Sequence, residues 1–490
     1  MKSSKVKSKS KRNAKIVATI GPASNSREEI RNLIQAGLNV ARLNFSHGNH
    51  QEHKQTLELI REEAKALNAH VAVMQDLCGP KIRITEVDSG EIELEDGGKI
   101  QLAYSKDSKD KGDLNTLYIS VFEPSKVIKK GEKVLLADGR ITLLAEKVNE
   151  KHVSCSIVSG GALRSKAGIS LPESELDLPS LTSKDKEDIK WSMNNDIDYV
   201  ALSFVGSLED LTLTREEMSK HGKPLPLIAK IERAKALDNL TSIVKNSDGV
   251  MVARGDLGVD LPLQKVPAAQ RLVISTANFE GVPVITATQM LMSMVEEVRP
   301  TRAEVSDVVT AVRDGTDAVM LSEETAMGKH PALAVKVLSD IVIEAEHEIS
   351  FESNTYNRNS DKASVSDATC FAACSAAEKI NASAILACTE SGQTAKLMAK
   401  YRPEQPLYGA TSQKKSLNRM VLYWGVEPIL INVDKNAGIE AEIAAAMNAI
   451  RDEYDVKPES RVVVTAGLRT KSTGSTNVTQ IREIPRKNES

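Results

Sequence analysis

The sequence predicts an α/β protein in which a (β/α)8 TIM barrel carries an inserted small antiparallel β-barrel domain and a C-terminal open α/β domain. Three observations support this fold class. Eight short apolar runs alternate with helical patterns, one interval breaks that rhythm with short alternating segments, and further helices and strands follow a polar linker. Hydrophobic residues make up 41% of the 490-residue chain, which is enough to form several cores.

Each of the eight runs is rich in β-branched or apolar residues, ends in a polar or glycine-containing cluster, and precedes a helical pattern. In a barrel of parallel strands the active site lies at the carboxyl ends of the strands, which is where these polar clusters fall. We therefore expect a catalytic barrel over 14–82 and 177–350. The eight runs occupy 15–24, 39–48, 71–79, 198–205, 227–233, 248–258, 283–291 and 317–325.

The remaining segments predict three further regions. Residues 83–176 contain short alternating stretches such as GEIELEDGGKIQL, typical of an antiparallel β domain that forms a lid over the barrel mouth. The barrel resumes where Thr182 and Asp185 have the spacing of a helix capping box. Residues 351–490 begin with a polar linker and then alternate helices with strands such as SAILACT, PILINV and RVVVTAG, which predicts a third, open α/β domain.

Composition narrows the classes of partner. The net charge of -3 provides no overall basic field, so we expect no nucleic-acid partner. Residues 1–13 read as a disordered basic tail, since they lack the apolar segment of a secretory signal. The chain contains no apolar run of about 18 residues, so no membrane partner is expected. The five scattered cysteines do not form a disulfide framework, and we expect a cytoplasmic protein.

Two of the predicted strand ends carry charges with a chemical meaning. Lys230 and Glu232 lie two residues apart and point to the same face of a strand, where a charged pair is costly unless it has a function. Asp256 ends another strand between Gly255 and Gly258, which allow close approach of the backbone. One carboxylate from each of two strands suits Mg2+, which accepts few protein ligands. An ordinary ion pair and a simple turn are the alternatives.

Six motifs in their order along the chain resemble the pyruvate kinase family: ARLNFSHG, GPKIR, AKIE, ARGDLG, ATQML and MLSEETAMGKHP. The resemblance covers nearly the whole chain, including the inserted domain. It implies a transferase of glycolysis that moves the phosphoryl group of phosphoenolpyruvate to ADP, giving pyruvate and ATP after protonation of enolpyruvate. It also implies dependence on Mg2+, for which Mn2+ can substitute, and a homotetramer. A non-catalytic sensor or scaffold that binds phosphoenolpyruvate or an effector on the same fold is the alternative.

The resemblance also assigns roles in phosphoryl transfer. It gives Lys230 the task of neutralising the transferring group, and it makes Glu232 and Asp256 the ligands of Mg2+. Arg42 resembles the ligand of the substrate phosphate, a task that suits a bidentate guanidinium. Backbone amides after Gly255 could hold the substrate carboxylate together with Asp256.

Protonation of enolpyruvate is assigned by the same resemblance to a threonine. Thr288, in ATQML, corresponds to the residue near the carbon that becomes the methyl group of pyruvate, where a hydroxyl and an ordered water can relay a proton. Ser322 and Glu324 are candidate members of this relay. Their alternative role is to support the site without taking part in the transfer.

The predicted nucleotide site combines residues from the barrel and from the inserted domain. Arg83 matches a family arginine that contacts the phosphates of ADP, and Asn44 and His47 lie at a neighbouring strand end. His47 has the alternative role of a structural hydrogen-bonding residue. Lys166 is a further candidate, although SKAGISLPE departs from the family segment Lys-Gly-Val-Asn-Leu-Pro-Gly and displaces this lysine by one position.

The family commonly binds K+ through side chains matching Asn44, Ser46 and Asp76 and through a backbone oxygen at the position of Leu77. Members that depend on K+ carry a glutamate where this chain has Lys81. An ammonium group at this place supplies the positive charge itself and repels a second cation. We therefore expect activity without added K+. The alternative is that Lys81 pairs with a surface carboxylate while K+ still binds.

Two loops of the C-terminal domain resemble the family's regulatory site. Hydroxyls and helix amides in CTESGQTA suit a phosphate, and GLRTKSTGSTN offers cations as a facing loop. A sugar-phosphate or nucleotide effector is expected here, with simple polar turns as the alternative. The candidate effector residues are Thr389, Ser391, Gly392, Thr394, Arg469 and Lys471.

Overall fold

The computed structural model describes residues 12–107, 110–174, 180–348, 364–434, 438–467 and 476–487 of the 490-residue chain. Residues 1–11 of the predicted basic tail lie outside the described residues. The same holds for Arg469 and Lys471, two of the predicted effector residues.

The strands of the described residues are numbered in chain order. They are β1 (Lys15–Ile20), β2 (Val40–Asn44), β3 (Ala72–Asp76), β4 (Glu91–Leu94), β5 (Lys99–Tyr104), β6 (Thr116–Ile119), β7 (Lys133–Leu136), β8 (Ile141–Val148), β9 (His152–Ser159), β10 (Gly161–Arg164), β11 (Ile169–Ser170), β12 (Tyr199–Leu202), β13 (Leu227–Ile231), β14 (Gly249–Ala253), β15 (Val284–Ala287), β16 (Ala318–Leu321), β17 (Ala384–Cys388), β18 (Leu407–Thr411), β19 (Val426–Leu430), β20 (Arg461–Ala466) and β21 (Val478–Glu483).

The helices are numbered in the same way. They are α1 (Arg27–Ala36), α2 (His50–Ala66), α3 (Pro124–Val127), α4 (Ser183–Met193), α5 (Leu208–Ser219), α6 (Ala234–Asp238), α7 (Leu240–Lys245), α8 (Arg254–Asp260), α9 (Val266–Glu280), α10 (Arg302–Asp314), α11 (Glu323–Ala326), α12 (Pro331–Glu348), α13 (Val365–Lys379), α14 (Gln393–Ala399), α15 (Lys414–Met420) and α16 (Gly438–Tyr454).

Eight parallel strands close the predicted barrel in the order β1-β16-β15-β14-β13-β12-β3-β2. β1 is buried at every position, as expected for a strand covered on both faces by the barrel interior and the surrounding helices. All eight predicted runs contain one barrel strand, but each strand ends before its run does. The polar residues that follow belong to loops or to short helices such as α8 and α11.

The inserted segment forms the predicted antiparallel β domain. A six-stranded sheet, β11-β7-β8-β9-β5-β6, and a two-stranded sheet, β10-β4, share one hydrophobic core. One neighbouring pair departs from the antiparallel pattern, since β5 and β6 run parallel. The turn between β7 and β8 contains Asp138, which reaches back to the barrel mouth.

The C-terminal domain is an open five-stranded sheet in the order β19-β18-β17-β20-β21, with β21 antiparallel to β20. This domain packs on the barrel, and residues from both contribute to one core cluster. The Tyr199 hydroxyl of β12 donates to the Arg419 carbonyl across 2.8 Å. The Arg402 guanidinium lies 3.0 Å from the Asp317 carboxylate in a buried ion pair. The C-terminal domain therefore covers the end of the barrel at which the strands begin.

The predicted capping box is confirmed at the start of α4. The Thr182 hydroxyl accepts from the Asp185 amide, and the Asp185 carboxylate accepts from the Thr182 amide. Asp185 also accepts from the Gly79 amide at 3.1 Å, which ties the helix to the loop after β3. No helix within the described ranges is long and apolar enough to cross a membrane.

Candidate active site

A cluster of buried charges occupies the carboxyl end of the barrel. Lys230, at the end of β13, places its Nζ 2.9 Å from the Glu232 carboxylate and 3.1 Å from the Asp76 carboxylate. Its ammonium also donates to the Ser203 hydroxyl at 2.7 Å. The three donors of the lysine are thus matched by three acceptors, which fixes the position of a single positive charge.

Arg42 adds a second cation to this cluster. Its Nε donates to Asp76 at 2.7 Å and its Nη1 donates to the Thr19 hydroxyl at 2.8 Å. The side chain of Arg42 is 11% exposed, so it is mostly buried among these partners. Because Arg42 and Lys230 oppose Asp76 and Glu232, the charges of these four groups cancel. The site can therefore be buried without a large uncompensated charge.

The charges in the cluster shift one another's pKa values. Burial alone would lower the pKa of Lys230, but the charges of Asp76 and Glu232 outweigh burial and raise it. Burial would raise the pKa of Asp76, but Lys230 and Arg42 outweigh it and hold that pKa below its ordinary value. The lysine therefore stays protonated and Asp76 stays ionised, which preserves both as fixed charges at neutral pH.

Glu232 and Asp256 are the pair of carboxylates predicted for a divalent metal. Burial raises the pKa of Glu232, and the negative charge of Asp256 contributes to this rise. Glu232 accepts from the Phe204 amide at 2.6 Å, which orients its carboxylate. The described residues contain no cluster of three or more His, Cys, Asp or Glu side chains that could hold a metal. Two repelling carboxylates with oxygen donors fit Mg2+, which completes its coordination with water and substrate oxygens.

Thr288 lies against the turn that carries Asp256. Its hydroxyl accepts from the Gly255 amide at 2.8 Å and donates to the Ala287 carbonyl at 2.6 Å. The backbone φ angle is 70° at Thr288 and 55° at Gln289, in the left-handed region that β-branched residues rarely adopt. The predicted proton-relay residue therefore lies on a strained turn directly beside the proposed metal site.

Ser322 and Glu324 lie after β16. The buried Glu324 carboxylate accepts from the Ser322 amide at 2.7 Å and from the Leu291 amide at 3.0 Å. It thus joins the loops that follow β15 and β16. This geometry favours the support role that the sequence left as the alternative.

Lys81 lies between the barrel and the inserted domain. Its Nζ is 3.2 Å from the Asp138 carboxylate and 3.6 Å from the Asp256 carboxylate, and its side chain is 31% exposed. The lysine thus pairs both with a carboxylate of the inserted domain and with a predicted metal ligand.

The predicted monovalent-cation ligands have protein partners of their own. Asp76 binds Arg42 and Lys230, and the Leu77 carbonyl accepts from the Ser203 hydroxyl at 2.7 Å. The Asn44 side chain accepts from the Ser46 amide at 3.1 Å. These contacts hold the loops after β2 and β3 in place.

The nucleotide candidates divide into two groups. Arg83 donates to the Lys166 carbonyl at 2.9 Å, so these two residues, near the start and the end of the inserted domain, lie together. The Lys166 ammonium points to Glu86 at 3.2 Å. His47 is exposed after β2, and its carbonyl contacts the His53 ring at 2.9 Å.

The candidate effector loop follows β17. The Thr389 hydroxyl accepts from the Gly392 amide at 3.0 Å, Ser391 is exposed, and the φ angle of Gly392 is 89°. Thr394 is buried and shares a hydrogen bond of 2.7 Å with Thr476. The Thr394 hydroxyl therefore helps to hold the loop together.

Sequence reasoning missed two hydroxyl groups and one carboxylate in this site. Ser203 links Lys230 to the Leu77 carbonyl, Thr19 supports Arg42, and Asp138 pairs with Lys81. Ser203 directly follows β12, so the rule about carboxyl ends of barrel strands could have found it. Asp138 lies in another domain and gives no such signal.

Comparisons with known proteins agree with this geometry. A family model described as "Pyruvate kinase, barrel domain" matches residues 11–335, and one described as "Pyruvate kinase, alpha/beta domain" matches residues 367–482. The chain is 40% identical over 478 residues to pyruvate kinase 2 of Synechocystis, covering 96% of this chain and 79% of that protein. It is 37% identical over 472 residues to pyruvate kinase of Clostridium acetobutylicum, covering 96% and 99%. A third relative, pyruvate kinase of Geobacillus stearothermophilus, is 39% identical over 482 residues, covering 97% and 81%.

Proposed function

Because the chain belongs to the pyruvate kinase family, we propose that the charged cluster around Lys230 is its catalytic centre. The protein is a phosphotransferase that moves the phosphoryl group of phosphoenolpyruvate to ADP, giving pyruvate and ATP. A non-catalytic sensor on the same fold is not favoured by these relationships. The single observation that supports the assignment best is the Lys230 ammonium held between Asp76 and Glu232.

Phosphoryl transfer proceeds through a loose transition state with negative charge on its equatorial oxygens, so catalysis depends on positioned cations. Lys230 stabilises this charge, and Arg42 binds the phosphate of the substrate through its guanidinium. The backbone amides that follow Gly255, beginning with that of Asp256, bind the substrate carboxylate at the start of α8. Substrate oxygens then take over part of the neutralising role that Asp76 plays in the free protein.

The family generally needs Mg2+. In this chain Glu232 and Asp256 would hold it, and Mn2+ could replace it because both ions favour oxygen ligands. The bound ion supplies positive charge to the phosphate oxygens. The raised pKa of Glu232 supports this assignment, since a carboxylate that is costly to ionise alone is stabilised by a cation.

Protonation of enolpyruvate completes the reaction. In this proposal the Thr288 hydroxyl passes a proton from water to the carbon of enolpyruvate, while Ser322 and Glu324 hold the adjoining loops in place. The hydrogen bond from the Gly255 amide to the Thr288 hydroxyl and the contacts of the Glu324 carboxylate support these roles. Arg83 and Lys166 bind ADP from the start and end of the inserted lid domain, and Asn44 and His47 contribute from the barrel.

The function is tested by measuring pyruvate formation from phosphoenolpyruvate, ADP and Mg2+ with the purified full chain. We expect saturable turnover on the order of 1–100 per second, as in other kinases. Removing Mg2+ with a chelator should abolish the rate, and restoring it should recover the rate. Binding of phosphoenolpyruvate without any pyruvate would identify the sensor.

The C-terminal loop after β17 is proposed to bind a sugar phosphate or nucleotide as an effector. In this proposal the turn that contains Thr389, Ser391, Gly392 and Thr394 binds the phosphate, and Arg469 and Lys471, which lie outside the described residues, are the cations assigned from sequence. The Thr389 hydrogen bond to Gly392 supports the proposal because it preorganises the turn. Ser391→Asp introduces a negative charge that repels a phosphate. We expect it to remove the effect of added sugar phosphates or nucleotides on the initial rate while leaving the basal rate unchanged.

Assembly and location belong to the same proposal. A homotetramer is expected from the family resemblance, and sedimentation of the purified chain measures it directly. The proposed location is the cytoplasm. All five cysteines are free thiols, which is the state expected in a reducing compartment.

A further inference from the structure

Arg254 connects the two turns that lie on either side of the proposed protonation site. It is the first residue of α8 and directly precedes Gly255. Its side chain is only 11% exposed and extends across to the loop after β15. A buried guanidinium next to a metal-binding turn needs a specific set of acceptors, and the neighbouring loop supplies them.

The guanidinium contacts three of four consecutive residues in that loop. Its Nη2 donates to the Thr288 carbonyl at 2.7 Å and lies 2.8 Å from the Met290 sulfur. Its Nε donates to the Ala287 carbonyl at 3.2 Å. The planar fork of an arginine can reach two successive carbonyls at once, which the single ammonium of a lysine does not reproduce.

The opposite side of the guanidinium is anchored to the outer helices. Its Nη1 donates to the Asp307 carboxylate of α10 at 2.7 Å and to the Gln270 side chain of α9 at 3.3 Å. The guanidinium of Arg254 is therefore held by α9 and α10, and it links these helices to the loop after β15.

That loop requires external support. Thr288 and Gln289 both have positive φ angles, and such strain persists only where surrounding contacts determine the backbone. The Gly255 amide holds the Thr288 hydroxyl at 2.8 Å, while Arg254 holds the Thr288 carbonyl. Arg254 and Gly255, two successive residues of α8, thus donate hydrogen bonds to the backbone and to the side chain of Thr288.

We infer that Arg254 is a positioning residue that keeps the Thr288 hydroxyl aimed at the carbon of enolpyruvate. The inference rests on the proposed role of Thr288. In that step the enolate of pyruvate takes a proton from water through the Thr288 hydroxyl. The C=C π bond breaks and its electron pair forms the C–H bond at the methylene carbon, the enolate oxygen becomes the carbonyl oxygen of pyruvate, and the water is left as hydroxide. Arg254 itself exchanges no proton with the substrate.

The reverse of this step gives a direct measurement. Exchange of the pyruvate methyl protons with D2O is followed by NMR, using the full chain with Mg2+ and inorganic phosphate in place of the phosphoryl group. We expect Arg254→Lys to slow exchange by about 10-fold, since small displacements of a catalytic group cost up to about 100-fold. The KM for ADP should stay unchanged.

A double-variant comparison distinguishes positioning from general damage. Thr288→Val removes the hydroxyl and should slow exchange by itself. Adding Arg254→Lys to Thr288→Val should then have little further effect, because both changes act on the same group. Arg271→Lys is the matched control, since Arg271 pairs with Asp314 at 3.2 Å on the exposed outer surface.

The outcomes separate this inference from the proposed function. Fully multiplicative effects of Arg254→Lys and Thr288→Val, or normal exchange in Arg254→Lys, would overturn the positioning role while leaving Thr288 in place. Normal exchange in Thr288→Val would overturn the role of Thr288 and the inference with it. If Arg254→Lys does not fold, Asp307→Asn loosens the same guanidinium. As a single substitution, Asp307→Asn should slow exchange several-fold. Added to Thr288→Val, it should slow exchange hardly at all. Unchanged exchange in the single Asp307→Asn variant would contradict the inference.

Discussion

Replacing Lys230 with methionine is expected to lower kcat by about 10³-fold, because loss of one preorganised stabilising group costs about 10² to 10³ and here the group carries a full charge. Methionine keeps the length and much of the volume of the side chain. The ammonium, however, lies 2.9 Å from Glu232 and 3.1 Å from Asp76, so its removal leaves two buried carboxylates opposed only by Arg42. The site then repels the charge that develops on the transferring phosphoryl group.

Steady-state rates of pyruvate formation measure this effect, and the KM for ADP separates it from a loss of nucleotide binding. Lys235→Met is the matched control, because this lysine is exposed on α6 a few residues further along the chain. Thermal unfolding of both variants checks that the fold is retained. A folded Lys230→Met protein with more than about a tenth of the wild-type kcat would show that another group stabilises the transferring phosphate.

The second large effect concerns the monovalent cation. The wild-type protein is expected to be active in a sodium-free buffer balanced with tetramethylammonium, whereas Lys81→Glu should depend on added K+. Lys81 lies 3.6 Å from Asp256 and 3.2 Å from Asp138, so its charge already reaches the proposed metal-binding turn. Two unit charges 4 Å apart interact by about 4 kcal/mol at an effective dielectric constant of 20. Reversing the charge should therefore lower the K+-free rate by about 10²-fold.

Initial rates over a K+ titration, at constant ionic strength, give the dependence for each protein. Lys99→Glu makes the same change of charge on the exposed face of β5 and should leave the response to K+ unaltered. Strong activation of the wild-type protein by K+ would favour the alternative, in which Lys81 serves mainly as the partner of Asp138. A Lys81→Glu protein with full activity and no response to K+ would show that Lys81 does not determine the dependence on K+.

The barrel could be predicted from sequence because its signal is local. A strand buried on both faces needs a continuous apolar run, and each of the eight runs shows one. Two strands of the C-terminal sheet were not predicted. β21 lies at the sheet edge with mixed burial and polar residues, and β18 contains Gly409. The edge strand β21 does not need the apolar pattern that identifies a central strand, whereas β18 is buried at all five positions between β17 and β19 and its glycine interrupts that pattern.

The site was predictable where a chemical requirement coincides with a strand end. The spacing of Lys230 and Glu232 by itself predicts two charges on one face, and the structure places them 2.9 Å apart. Asp76 illustrates the limit. The resemblance assigned it to a monovalent-cation site, which stays a prediction, and only the structure shows its ion pairs with Arg42 and Lys230.

The sequence alone determined the kind of fold, the end of the barrel that carries polar groups, and the residue types available there. Tertiary structure alone decided which charges meet. Lys81 joins Asp138 of the inserted domain to Asp256, and Arg254 supports Thr288. The physical reason is that the two kinds of interaction act over different separations along the chain. Apolar periodicity acts between neighbours in the chain, whereas an ion pair or hydrogen bond forms only after the whole barrel has closed and brought distant strand ends to within a few ångströms.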